Sequence, residues 1–150
     1  MQRKIIFIIL ILTTQFIPLS AAQALKFLYS SIHQLRDSLN LKKLKIDETL
    51  EMVAKEYAAN LSKHNVLTHT LFGTTPMQRV KKYDKYFCRI KEILATGMNV
   101  RDVTEAWLES PPHKEALLNK DTSKMGGHII RTQNNENIFI VIFGEKFKTN

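Results

Sequence analysis

A single cysteine, Cys88, is all the thiol chemistry the sequence offers, so no disulfide can close within the chain and the fold must rest on its hydrophobic core. Glycine and proline are sparse and no unit repeats along the chain. These absences exclude collagen-like, solenoid and low-complexity readings. Nothing interleaves the basic residues with aromatic side chains as a base-stacking platform would, which argues against nucleic acid as a partner. The formal net charge of +8 would suit anionic lipid or polysaccharide, but it suits an ordinary solvated surface better. At 150 residues and 44% hydrophobic content the chain has material for one core, hence one domain.

The longest uncharged apolar run near the start extends only from Ile5 to Leu12, short of the roughly 20 residues that span a bilayer. Arg3 and Lys4 precede it, Pro18 breaks the segment after it, and Ser20, Ala21, Ala22 and Ala24 are small. That order of features is a signal peptide over residues 1–22, with cleavage after Ala22 or Ala24. Its removal takes two positive charges from the formal +8, leaving +6. No cysteine stands at the cleavage region to carry a lipid, and no stable transmembrane segment remains. The expected product, residues 23–150, is secreted or displayed at the cell surface.

Leu25, Leu28, Ile32, Leu35 and Leu39 recur at helical spacing, with Lys26, Gln34, Arg36 and Asp37 off that face. A basic connector, Leu41 to Ile46, leads to Asp47, a suitable N-cap for a second helix whose face is Leu50, Val53, Ala54, Tyr57, Ala58 and Leu61. Periodicity fails from His64 to Gly73, and Thr75-Pro76 opens another short helical stretch, Met77 to Lys82. Tyr86 to Ala95 mixes aromatic, β-branched and charged residues and reads as neither helix nor strand decisively. Its neighbours Tyr86, Phe87 and Ile90 make a buried, inert Cys88 the expectation. A third helix begins after Asn99 and stops before Pro111, with a further turn or two over Lys114 to Leu118. Gly126 to Ile130 and Ile138 to Phe143 read as an antiparallel hairpin. The second of these is apolar at every position, so both its faces must be covered. Helices on two sides of a small antiparallel sheet make the fold α+β, a three-layer α-β-α sandwich.

Four stretches occur in an order that carries a family resemblance: Leu67-Thr68-His69, Thr75-Pro76-Met77-Gln78-Arg79-Val80, Ala106-Trp107-Leu108-Glu109-Ser110-Pro111-Pro112-His113-Lys114, and Phe143-Gly144. Together they resemble the bacterial branch of the CAP superfamily, the SCP-like domain of cysteine-rich secretory proteins, antigen 5 and pathogenesis-related proteins. The resemblance implies the same α-β-α sandwich and a cavity lined by histidines and acids. In some members that cavity holds a divalent metal. His69 matches the first cavity histidine, Glu92 the acid of a Gly-Glu-Asn motif, and His113 the histidine of Ser-Pro-Gly-His-Arg. The chain departs from those motifs at Lys91 and Ile93, which flank the acid, and at Pro112 and Lys114. Glu109 stands two residues after Trp107, near where other branches place a second acid.

His69 and His113 are therefore the candidate ligands for an ion such as Zn²⁺, with Glu92 and Glu109 as further cavity residues. His64 is the rival of His69 within the same loop region. His33 and His128 read as surface or packing residues, and Trp107 as a core anchor. No Ser or Cys sits in a nucleophile elbow or dyad context. The preferred reading is thus a non-enzymatic module binding an extracellular protein, lipid or polysaccharide. The alternative is a metal-dependent hydrolase or peptidase using His69, Glu92 and His113.

Overall fold

The computed structural model describes residues 19–147. All but the last few residues of the expected signal peptide lie outside that range. Helix α1, Ala21–Ser38, begins with a reciprocal cap: the Ser20 hydroxyl accepts from the Gln23 amide and the Gln23 side chain accepts from the Ser20 amide. Both expected cleavage positions fall in the first turn, so a processed chain would start inside α1 without this cap. The connector contributes a two-residue strand β1, Lys45–Ile46, and α2 follows over Glu48–His64. Asp47 caps α2 by accepting from the amides of Thr49 and Leu50 at 3.1 and 3.3 Å. Asn65 ends it in the left-handed conformation. A 3-10 turn at Leu71–Gly73 leads into α3, Pro76–Lys81, which has proline in its first turn and a Thr75–Gln78 capping box.

The segment whose sequence is ambiguous is strand β2, Phe87–Thr96. After it come α4 (Val103–Glu109), α5 (Pro111–Leu118), β3 (Lys124–Arg131) and β4 (Asn137–Lys146). The sheet order is β1-β3-β4-β2, with β1 parallel to β3 and the other pairings antiparallel. Strand β4 is central, which accounts for its unbroken apolar run. Phe139, Val141 and Phe143 face a core with Leu28 and Ile32 of α1, Val103 and Trp107 of α4, and Leu117 of α5. Ile138, Ile140 and Ile142 face the other core, with the α2 stripe and Val80 of α3. Three layers follow directly from that alternation. Trp107 is the expected anchor, buried and donating from its indole nitrogen to the Leu94 carbonyl at 3.0 Å.

Three placements correct the sequence reading. Arg36 is fully buried rather than off the apolar face of α1. Its Nε donates to the Lys42 carbonyl and its Nη1 to those of Leu117 and Asn119, so backbone acceptors of the connector and of the end of α5 replace part of the water it left, while Nη2 has no partner among the described residues. Leu39, conversely, is exposed because the helix has already ended there. Cys88 is exposed too, since a register irregularity between Phe87 and Arg89 turns it out of the alternation. Its thiol donates to the Glu145 carbonyl at 3.3 Å.

Candidate functional site

Strand β2 is an edge strand, and its alternation sends neighbouring side chains to opposite layers. Lys91 reaches Glu115 of α5 at 2.6 Å, while Glu92 faces the α2–α3 layer with no solvent exposure of its side chain. A buried carboxylate needs partners for both oxygens. Here Oε1 lies 2.9 Å from His69 Nδ1 and Oε2 accepts from Arg79 Nη2 at 2.7 Å. Arg79 is only 12% exposed, and its other terminal nitrogen donates to the carbonyls of His69 and Thr74 at 3.0 and 2.8 Å. Its guanidinium carbon sits 3.4 Å from the centroid of the Tyr57 ring. The Tyr57 hydroxyl in turn donates to the Thr68 carbonyl at 2.6 Å and accepts from the Leu71 amide at 3.0 Å. Burial raises the Tyr57 pKa, which keeps that hydroxyl a donor. The loop carrying His69 is thus held by α2 through Tyr57, by α3 through Arg79 and by β2 through Glu92.

A carboxylate accepts and does not donate, so in its neutral form His69 carries its proton on Nδ1 and leaves Nε2 as a lone-pair nitrogen. His69 remains 46% exposed. His113 is half-buried in the first turn of α5. Burial lowers its pKa, and the nearby His69 pushes in the same direction.

Glu109 ends α4 in an exposed position, and no hydrogen bond or ion pair among the described residues joins it to His69, Glu92 or His113. His64 is exposed, its ring edge-on to Phe72 with centroids 5.1 Å apart. His33 bonds the Leu44 carbonyl, and His128 is half-buried in β3.

Among the described residues, no three His, Cys, Asp or Glu side chains gather where they could hold an ion. Glu92 is buried against an imidazole and a guanidinium, so it stands behind His69 rather than beside His69 and His113 as a third ligand of an ion. What sequence reasoning missed is Arg79, together with Tyr57 beneath it. Arg79 lies inside one of the family-like stretches, but its partner is thirteen positions away on a strand that is not legible as one.

The cysteine-rich secretory protein family, CAP, matches residues 29–143. The chain belongs to the CAP family. A Borreliella burgdorferi protein is 56% identical to this CAP domain protein over 122 residues, 81% of this chain and 79% of that one. An outer surface protein of Borrelia burgdorferi has the same structure at TM-score 0.83 and 53% identity, over 85% of this chain and 96% of its own. A cysteine-rich secretory protein of Staphylococcus aureus shares the fold at TM-score 0.72 and 23% identity, over 84% of this chain and 39% of its own. This CAP protein is accordingly secreted or at the cell surface. No helix among its described residues is long and apolar enough to cross a membrane.

Proposed function

We propose that this CAP protein is a non-enzymatic surface module that contacts an extracellular protein through the exposed loop over residues 66–72, which carries His69. The burial of Glu92 carries this reading. A carboxylate with no solvent exposure, held by a guanidinium and an imidazole, is out of reach of the water proton it would have to take.

The loop itself supports the same reading. Phe72 is 69% exposed, and Val66 and Leu67 earlier in the loop are exposed as well. Phe72 also sits at φ 57°, the left-handed region that L side chains occupy at a cost. An exposed aromatic held in such a conformation three residues after His69 suits contact with a partner rather than with solvent.

Two measurements test the proposal together. A photo-crosslinking residue at Phe72, used on intact cells, should give a discrete protein adduct that the same residue at Glu136 does not give. Purified protein should show no turnover of a peptide panel, with or without added Zn²⁺. Cleavage abolished by His113→Ala and by Glu92→Gln in folded protein would establish the hydrolase instead.

A further inference from the structure

A hollow away from His69 and Glu92 lies between the outer side of α1 and the connector that turns back beside it. It measures about 590 Å³, and its lining includes Lys26, Ser30, His33, Gln34, Asp37 and Lys43. His33 ties its two walls together by donating from Nε2 to the Leu44 carbonyl at 3.1 Å. Asp37 is the one acid in the lining, against Lys26 and Lys43. Lys42 and Lys45 flank it along the connector. All four lysines are exposed, and no ion pair among the described residues involves any of them. By contrast Lys91, Lys124, Lys146 and Arg89 each have an acid within reach. Four lysines without an ion pair thus gather along and beside this groove, against one acid in its lining.

Its hydrogen-bonding groups narrow the ligand further. The Ser30 hydroxyl and Gln34 amide stand 3.5 Å apart, the limit of a hydrogen bond, so both can turn to an incoming hydroxyl, carboxylate or sulfate. We propose that this groove binds a linear acidic polysaccharide, with Lys26 and Lys43 meeting carboxylate or sulfate groups and Ser30, His33 and Gln34 meeting sugar hydroxyls. A concave groove that sets polar groups beside the Tyr29 and Leu41 side chains matches a single chain of sugars, which has both hydroxyls and apolar ring faces. A flat bilayer surface would reach the lysines but leave the hollow unfilled.

The test is calorimetric titration of the purified protein with a heparin decasaccharide, a polygalacturonate oligomer and neutral dextran, beside vesicles containing phosphatidylserine. The two acidic oligosaccharides should bind, more weakly as salt rises, and dextran should not. Lys26→Glu with Lys43→Glu should weaken binding by about tenfold or more, a loss typical of removing well-placed charge contacts. Lys85→Glu, an equal change per residue on another surface, should change it less than about twofold by the same measure. The milder Lys26→Gln with Lys43→Gln should fall between them, with circular dichroism reporting the fold of each variant. His69→Ala should leave binding untouched, which separates this groove from the His69 loop. A loss of about threefold or more for Lys85→Glu, half the tenfold effect on a logarithmic scale for half the charge change, would reveal diffuse charge, and binding to vesicles alone would assign the surface to lipid. Either result, or no binding of the acidic oligosaccharides, overturns the proposal.

Discussion

Replacing Arg79 with methionine removes the positive partner of a carboxylate that has no solvent exposure. Truncating one member of a buried pair costs about 3–5 kcal/mol, because the other charge stays behind. Arg79 is itself slightly exposed and His69 still reaches Oε1, so the lower end, about 3 kcal/mol, applies to the pair. Loss of the contact with the Tyr57 ring adds about 1 kcal/mol. The carbonyls of His69 and Thr74 belong to exposed residues and can turn to water, adding little. Arg79→Met should therefore lower stability by about 4 kcal/mol in urea unfolding, read as a shift in midpoint at unchanged slope. In Arg79→Met with Glu92→Gln the charge left behind is gone, so the double variant should recover about 2 kcal/mol relative to the sum of the single losses. Additivity within about 0.5 kcal/mol would refute the claim that Arg79 and Glu92 organise the site as a unit.

A methyl group built on Gly126 would run into the Glu51 amide nitrogen and lie 2.6 Å from both the carbonyl carbon and Cβ of Leu50. Backbone cannot swing aside as a side chain does, so Gly126→Ala should cost about 3 kcal/mol on the same assay; a loss under about 1 kcal/mol would show that α2 and β3 are not in close contact. Burial alone would raise the Asp47 carboxyl, but Lys124, the α2 amide and Lys146 outweigh it and the net shift is downward. Asp84 is lowered chiefly by Lys146. Their contribution is present above the ordinary carboxylate pKa of about 4 and is lost as pH falls through the depressed folded values. Asp47→Asn keeps a capping side chain while removing the charge, so it should flatten the loss of stability below about pH 4 relative to the parent. Unchanged acid sensitivity would show that the pairing with Lys124 and Lys146 contributes nothing. Finally, Cys88 should react with a maleimide in native protein; labelling that requires denaturant would return it to the interior.

Where the sequence was legible, one element carried its own local pattern. The α2 stripe from Leu50 to Leu61 and its Asp47 cap are set within a few turns of helix. The apolar run of β4 announced two covered faces by itself. Where it was not, the deciding partner lies far along the chain. Arg36 looks like a surface residue until the carbonyls of Leu117 and Asn119 arrive beside it. Strand β2 defeats periodicity because, as an edge strand, it alternates Lys91 toward an exposed glutamate with Glu92 toward a buried cluster. Cys88 has apolar neighbours in sequence, but the irregularity that exposes it is a property of the β2–β4 pairing. In the site, His69, Glu92 and His113 could be named only by resemblance, while Arg79 and Tyr57, which hold Glu92 and the His69 loop, required the fold.

The centrality of β4 has a consequence for how the chain matures. Among the described residues it is the final element in chain order, yet both β2 and β3 take their pairing from it and both cores pack on its faces. Before β4 arrives, β2 has no neighbour in the sheet, so neither layer can close. The domain should thus complete its folding only once the whole chain is available, a sequence of events compatible with export as an unfolded chain. The same run, apolar from Ile138 to Phe143, is a strand-forming segment of the kind that self-associates when left uncovered. Its late position shortens the time it spends exposed.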